Sequence, residues 1–221
     1  MLQAKQVYKK YGTVEVLRGV DFTVNKGEIV SLVGASGAGK STLLHIMGTL
    51  DDADKGEVWM EGQKLTGMKS NQLAHFRNKH IGFIFQFHHL LPEFTAFENI
   101  CVPAWIGKYK KAETEKRANE LLSLLGIAHR KDNKPSQLSG GEQQRVAVAR
   151  ALINQPDIIL ADEPSGNLDS TNARELHKLF FTLRDELGQT FLIVTHNDEL
   201  AAQCDRKVQM KDGLIMHQTE I

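Results

Sequence analysis

The sequence predicts an α/β fold: a parallel sheet with helices packed on it, antiparallel strands ahead of it and a helical insertion within it. Two observations carry this expectation. Short, largely apolar runs recur at 28–34 (EIVSLVG), 81–86 (IGFIFQ), 157–162 (DIILAD) and 191–196 (FLIVTH), with helix-like segments between them. Continuous apolar strands alternating with helices are the pattern of a parallel sheet buried on both faces. The second observation is the stretch from about 88 to 135, which offers no convincing strand and reads as helices inserted between the strand ending near Gln86 and the helix after Gly141.

In chain order, the first 27 residues, with VLRGVDFTV at 16–24, read as antiparallel strands. EIVSLVG, the glycine-rich loop behind it and TLLHIMGTL then make strand, loop and helix. Ala118, Leu121, Leu122 and Leu125 fall at helical spacing, as do Leu176, Leu179, Phe180 and Leu183, and each stripe reads as core. The expectation is one domain over 1–221, with a helical subdomain at about 88–150 inserted into its core.

With 221 residues and 41% hydrophobic content the chain can bury a sizeable core. Its 27 basic and 27 acidic residues balance, so no bulk field favours nucleic acid or an anionic membrane. Cys101 and Cys204 are far apart and lack CxxC spacing, which argues against a disulfide framework or a thiol metal site and for a reducing cytosol. No apolar h-region follows the N-terminal lysines, and nowhere do about eighteen apolar residues run together. The chain is expected neither to enter nor to span a membrane by itself.

Gly34-Ala35-Ser36-Gly37-Ala38-Gly39-Lys40-Ser41, followed by Thr42, matches GxxxxGK[ST], a pattern met by chance in roughly one per cent of chains this long. The glycines let backbone N–H groups curl around a β-phosphate at the positive end of the following helix. Lys40 would reach the β- and γ-phosphates, and the Ser41 hydroxyl would ligate Mg²⁺. Ile158 to Ala161 lead into Asp162 and Glu163; in a neighbouring strand these carboxylates would lie beside the phosphate loop, Asp162 holding the metal through water and Glu163 polarising the attacking water. His196 ends FLIVTH and Gln86 ends IGFIFQ; from the same strand ends they could contact a γ-phosphate, the water or the metal.

A second glycine pair stands at QLSGGEQQR, 137–145. Ser139, Gly140 and Gly141 precede a helix and again offer N–H groups at a positive helix end, while Ser139 and Glu142 have capping-box spacing. One compact subunit has no evident need to wrap one triphosphate with both loops, so each loop could serve a different copy of the chain.

The ordered set GASGAGKS, Gln86, LSGGEQQR, ILADEP, SGNLD at 165–169 and His196 resembles the nucleotide-binding subunit of an ATP-binding cassette (ABC) transporter over essentially the whole chain. The resemblance implies a P-loop NTPase core of the RecA-like kind with an N-terminal antiparallel β subdomain, and ATP hydrolysis with Mg²⁺. It implies that Tyr11 stacks on adenine, that SGNLD links two sites, and that two chains pair head to tail. In that dimer Ser139, Gly140, Gly141 and Glu142 of one copy would close on the nucleotide held by Gly34 to Thr42 of the other. Ser165 stands where threonine is commoner in the group, keeping the hydroxyl.

Long coiled coils, as in chromosome-structure relatives, and a second cassette, as in translation factors, are absent from the sequence. QFHHLLPEFTAFEN is similar to the corresponding stretch of ATPase subunits of bacterial lipoprotein-releasing (Lol-type) systems, and SGNLD also fits macrolide-efflux and cell-division cassettes. This implies an integral-membrane permease as partner, contacted by Phe87, His88, His89, Leu90 and Leu91. It also implies a peripheral position on the cytoplasmic face of the bacterial inner membrane without direct lipid insertion.

Overall fold

The structure, a computed structural model, describes residues 1–220. Strands β1 (Leu2–Tyr11) and β2 (Val14–Val24) form an antiparallel pair, and β4 (Lys55–Met60) and β5 (Gln63–Lys64) extend it to a four-stranded sheet in the order β2-β1-β4-β5. The antiparallel start expected from the sequence is therefore present, but half of its strands come from residues 55–64, beyond the first 27. A six-stranded sheet follows, in the order β10-β9-β3-β8-β7-β6. Its members are β3 (Ile29–Val33), β6 (Ile81–Phe85), β7 (Ile158–Asp162), β8 (Thr190–Val194), β9 (Arg206–Lys211) and β10 (Leu214–Glu220). From β6 to β9 neighbouring strands are parallel, and β10 closes the edge antiparallel to β9.

The four apolar runs read from the sequence are the four consecutive strands β3, β8, β7 and β6. Their side chains alternate between two cores, as period-2 geometry requires. Ile159, Ala161, Phe191 and Ile193 face one core together with α3 (Ala96–Ile106), α4 (Lys111–Leu124), α5 (Gly140–Leu152) and α6 (Ser170–Leu187). Val30, Leu32, Ile158, Leu160 and Leu192 face the other, together with α1 (Lys40–Met47) and the four-stranded sheet. Ala118, Leu121 and Leu122 of α4, with Leu125 just beyond it, are buried in the first core; so are Leu176, Phe180 and Leu183 of α6, while Leu179 packs against it half-buried.

Helices fill the expected insertion from Ala96 onward, after an irregular stretch at 86–95. Thr95 starts α3 as an N-cap, its hydroxyl accepting from Glu98 N–H and the Glu98 side chain returning to Thr95 N–H. Helix α2 (Ser70–His80) precedes β6 and the short α7 (Asp198–Gln203) follows β8, while single 3-10 turns at Ala128–Arg130 and Pro135–Gln137 lie between α4 and α5. Among the described residues no helix is long and apolar enough to cross a membrane.

Candidate active site

Strand register builds the site. Across β3, β8, β7 and β6 the residues Leu32, Val194, Asp162 and Phe85 stand in one row, each Cα paired to the next. The chain leaves the sheet immediately beyond this row, so Gly34, His196, Glu163 and Gln86 emerge along one carboxyl edge, where ligands of open α/β sheets bind. A buried strand stays largely apolar until it surfaces, so the carboxylate, imidazole and amide that follow these runs gather at this edge.

Gly34 turns the chain at φ 152°, and a β-carbon there would lie 2.1 Å from the Met210 carbonyl oxygen. No other residue fits without moving β9. Gly39 caps α1 from the left-handed region at φ 99°, leaving the first N–H groups of the helix without a side-chain cap. Lys40, buried, donates from Nζ to the carbonyls of Gly34 (2.9 Å) and Ala35 (3.0 Å). Burial holds its ammonium below the usual lysine range, against the opposing pull of Glu163 and Asp162. Ser41 Oγ donates to Asp162 Oδ1 at 2.9 Å. The hydroxyl and the carboxylate expected to share a metal are thus already in contact. His45, one turn along α1, brings Nε2 to 3.6 Å from Asp162 Oδ2.

Glu163 adopts φ 47°, and its N–H bonds to the Val194 carbonyl at 2.9 Å, which aims the side chain toward the end of β8. There the His196 N–H donates to Oε2 at 3.3 Å, and His196 Nε2 lies 3.0 Å from Oε1. That ring nitrogen is close but off the direction of a hydrogen bond, so Oε1 is buried with its lone pairs unfilled. Desolvation pushes the Glu163 carboxyl above the usual carboxylate range, against the stabilising charge of His196 and the His196 N–H.

Gln86 is turned elsewhere. Its Nε2 donates to Asn167 Oδ1 at 3.1 Å, and Asn167 Nδ2 returns to the Gln86 carbonyl at 3.1 Å. The amide expected at the metal is therefore held by the SGNLD loop. Ser165 of that loop is held by the buried His177, 3.0 Å from Oγ to Nε2. Tyr11, at the end of β1, is exposed; its hydroxyl bonds to Asp51, and Lys9 Nζ lies 5.0 Å from its ring centroid.

Ser139 caps α5 in the expected box: Ser139 N–H donates to Glu142 Oε2 (2.7 Å) and Glu142 N–H to Ser139 Oγ (3.3 Å). Arg130 holds the other oxygen of Glu142 at 2.7 Å. Helix α5 packs in the core on one face of the six-stranded sheet and α1 in the core on the other, so the sheet separates the two glycine-rich helix starts within one chain.

The segment after Gln86 is organised by two residues that sequence reasoning did not single out. Arg150, on α5, donates to the carbonyls of His88 and His89, both at 2.7 Å. Asn99, fully buried, accepts from Leu91 N–H (2.7 Å) and donates to the carbonyls of Leu91, Phe94 and Thr95. Held this way, Phe87 is 65% exposed, Leu91 is exposed and Leu90 packs inward. Beside them, Leu50, Phe83, Phe85 and Ile106 line a mostly apolar groove of about 400 Å³. The signal for both organisers was their type: an arginine inside VAVARALI and an asparagine inside an apolar helix must each have buried partners.

The profile of the ABC transporter family matches residues 17–166. The chain belongs to the ABC transporter family. Among its relatives, the lipoprotein-releasing system ATP-binding protein LolD of Cytophaga hutchinsonii is 61% identical over 98% of this chain and 99% of its own length. LolD of Bacteroides thetaiotaomicron is 57% identical over 97% of this chain and 99% of its own length. Among solved structures, the ATP-binding cassette MJ0796, a dimer in a post-hydrolysis state with ADP and Pi bound, superposes with a TM-score of 0.90 at 38% identity, covering 100% of this chain and 98% of that one. The fold is that of the ABC ATPase cassette, and the stretch matched by the family includes Gly34–Ser41, Ser139–Glu142 and Asp162–Glu163.

Proposed function

We propose that the chain is the ATP-hydrolysing subunit of a lipoprotein-releasing ABC transporter, acting as a homodimer on an integral-membrane permease. The observation that carries the hydrolytic part is the row of strand ends that sets Lys40, Ser41, Asp162, Glu163 and His196 along one sheet edge. Lys40 exchanges the Gly34 and Ala35 carbonyls for phosphate oxygens, and the N–H groups at the start of α1 complete the cradle. Ser41 and Asp162 fit a magnesium ion, since a hydroxyl and a carboxylate already converge at 2.9 Å; Gln86 joins them if it leaves Asn167. When bound, the ion neutralises charge on the β- and γ-phosphates.

Glu163 Oε1, buried and unfilled, accepts the proton of the attacking water, while His196 fixes the carboxylate through Oε2 and contacts the γ-phosphate. Tyr11 offers the ring face not occupied by Lys9 to the base. Ser139, Gly140, Gly141 and Glu142 lie across the sheet from α1, and this supports their use by a second copy, with two ATP molecules sandwiched between two chains. Hydrolysis then removes the bridging phosphate and the copies part.

The permease reading rests on Phe87, His88, His89, Leu90 and Leu91, held by Arg150 and Asn99 beside the apolar groove, and on the LolD relatives that match nearly end to end. Docked there, the chain would sit peripherally on the cytoplasmic face of the inner membrane, without touching lipid or nucleic acid. Reconstitution tests it: the chain, its co-purified permease and a lipoprotein substrate in proteoliposomes should give ATP-dependent lipoprotein release. A co-purifying partner without membrane spans, or release independent of this chain, would overturn the reading.

A further inference from the structure

Tyr11 is exposed, and an exposed tyrosine at a strand end has several rotamers open to it. This one is held at the tip and on one face. Its hydroxyl bonds to Asp51, and Lys9 Nζ lies 5.0 Å from the centroid of its ring. Lys9 is itself tied down: with 9% of its surface exposed, it donates to Asp51 Oδ1 (2.7 Å) and to the Asp52 carbonyl (2.7 Å). One carboxylate therefore takes the ammonium on Oδ1 and the phenol on Oδ2.

An irregularity in β1 turns this lysine inward. Leu2 and Ala4 lie in the core, but Gln6 adopts φ 48°, its N–H bonds to Asp21 Oδ1 (2.9 Å), and the pairing with β2 slips between Ala4 and Val7. Such a bulge moves the inward face of a strand by one residue. Val7 and Lys9 are accordingly the buried positions that follow.

Asp51 is fixed from the other side. It stands in the turn after α1, where Leu50 N–H returns to the His45 carbonyl (2.8 Å). The same turn is laced to β1 by Asp54 N–H to the Tyr8 carbonyl (3.0 Å) and by Lys10 N–H to Asp54 Oδ2 (2.7 Å). Against the cost of desolvation, the bonds from Lys9 and Tyr11 hold the Asp51 carboxyl below the usual carboxylate range. Helix α1 has eight residues and is about 12 Å long. It starts at the phosphate loop and runs into the turn that holds Tyr11, so one rigid element places both.

We infer, on the reading of Tyr11 as the residue that stacks on the base, that Lys9 is a positioning residue for nucleotide binding, fixing the Tyr11 ring in its stacking orientation through Asp51. Its contacts go to Asp51, Asp52 and the ring, so its influence on the nucleotide passes through Tyr11. A ring ordered before the ligand arrives spares the entropy of ordering it on binding.

The experiment compares ADP with inorganic pyrophosphate, which has no base, by calorimetry on the full chain. Lys9→Met should weaken ADP about fivefold, the order of cost of immobilising one side chain on binding. Its affinity for pyrophosphate should stay that of the parent, whereas a merely structural role would weaken both ligands alike. Asp51→Ala should give the same split, and carries the test alone if Lys9→Met does not fold. Tyr11→Ala should weaken ADP about tenfold, as loss of base stacking does, and Lys9→Met added to it should cost nothing further. With Tyr11→Ala weakened, unchanged ADP affinity in Lys9→Met and Asp51→Ala, equal losses for ADP and pyrophosphate, or losses that add in the double variant would each overturn the role of Lys9. Tyr11→Ala binding ADP as tightly as the parent would instead overturn the stacking contact itself, and the role of Lys9 with it.

Discussion

His196 meets Glu163 at both carboxylate oxygens: its backbone N–H donates to Oε2 at 3.3 Å, and its Nε2 stands 3.0 Å from Oε1. The first contact fixes the carboxylate; the second is off-axis and leaves Oε1 able to accept a proton. Glu163→Gln should keep ATP affinity within a few-fold while turnover falls by about 10²–10⁴, the usual worth of a positioned base. His196→Ala should lower turnover by a similar order with the backbone contact intact. Single-turnover phosphate release and equilibrium nucleotide binding separate the two effects, and near-normal turnover in Glu163→Gln would remove Glu163 as the base.

Arg150, half-buried, holds the carbonyls of His88 and His89 from within α5. Arg150→Ala strands two acceptors, and loss of two charge-assisted bonds should cost about 2–4 kcal/mol. Urea denaturation reads the total, and hydrogen exchange should show residues 86–91 losing protection first. A change under about 0.5 kcal/mol would mean that Arg150 does not organise this segment.

Glu142 links the start of α5 to Arg130. The Ser139 N–H first, and then Arg130, hold its carboxyl below the usual carboxylate range. A depressed folded pKa contributes stability that is present above the unfolded value, about 4.3, and is lost as pH falls through the folded value. Glu142→Gln keeps an acceptor for the Ser139 N–H but loses the carboxylate charge that Arg130 holds, and should therefore destabilise the chain by about 1 kcal/mol near neutrality. The gap between variant and parent should shrink as pH falls below about 4. Paired denaturation curves from pH 7 to 3.5 check this, and a gap constant across that range would contradict it.

Much of the site could be read from the chain because buried strands announce their own ends. Asp162 and Gln86 are the first polar residues beyond apolar runs, His196 follows its run after the buried Thr195, and strand register does the rest. Residues 55–64 could not be read this way: only Val58 and Met60 of β4 are fully buried, and its partner, β1, lies some fifty residues earlier. The end of IGFIFQ puts Gln86 at the edge, but its bond to Asn167 depends on how two loops meet, which no local pattern encodes. Arg150 and Asn99 sit in apolar helices where periodicity records only their neighbours. The two glycine-rich helix starts looked alike in sequence; the sheet between them became visible only when alternate residues of β7 divided between two cores.

The nucleotide shared between two chains is tested most directly by the mass of Glu163→Gln in solution, measured by light scattering with and without ATP. The mass should double when ATP is added, and should remain that of one chain when Ser139→Arg is introduced into the same background, although that double variant still binds ATP. A single-chain mass for Glu163→Gln saturated with ATP, or an undiminished dimer with Ser139→Arg, would contradict a site completed in trans by Ser139 to Glu142.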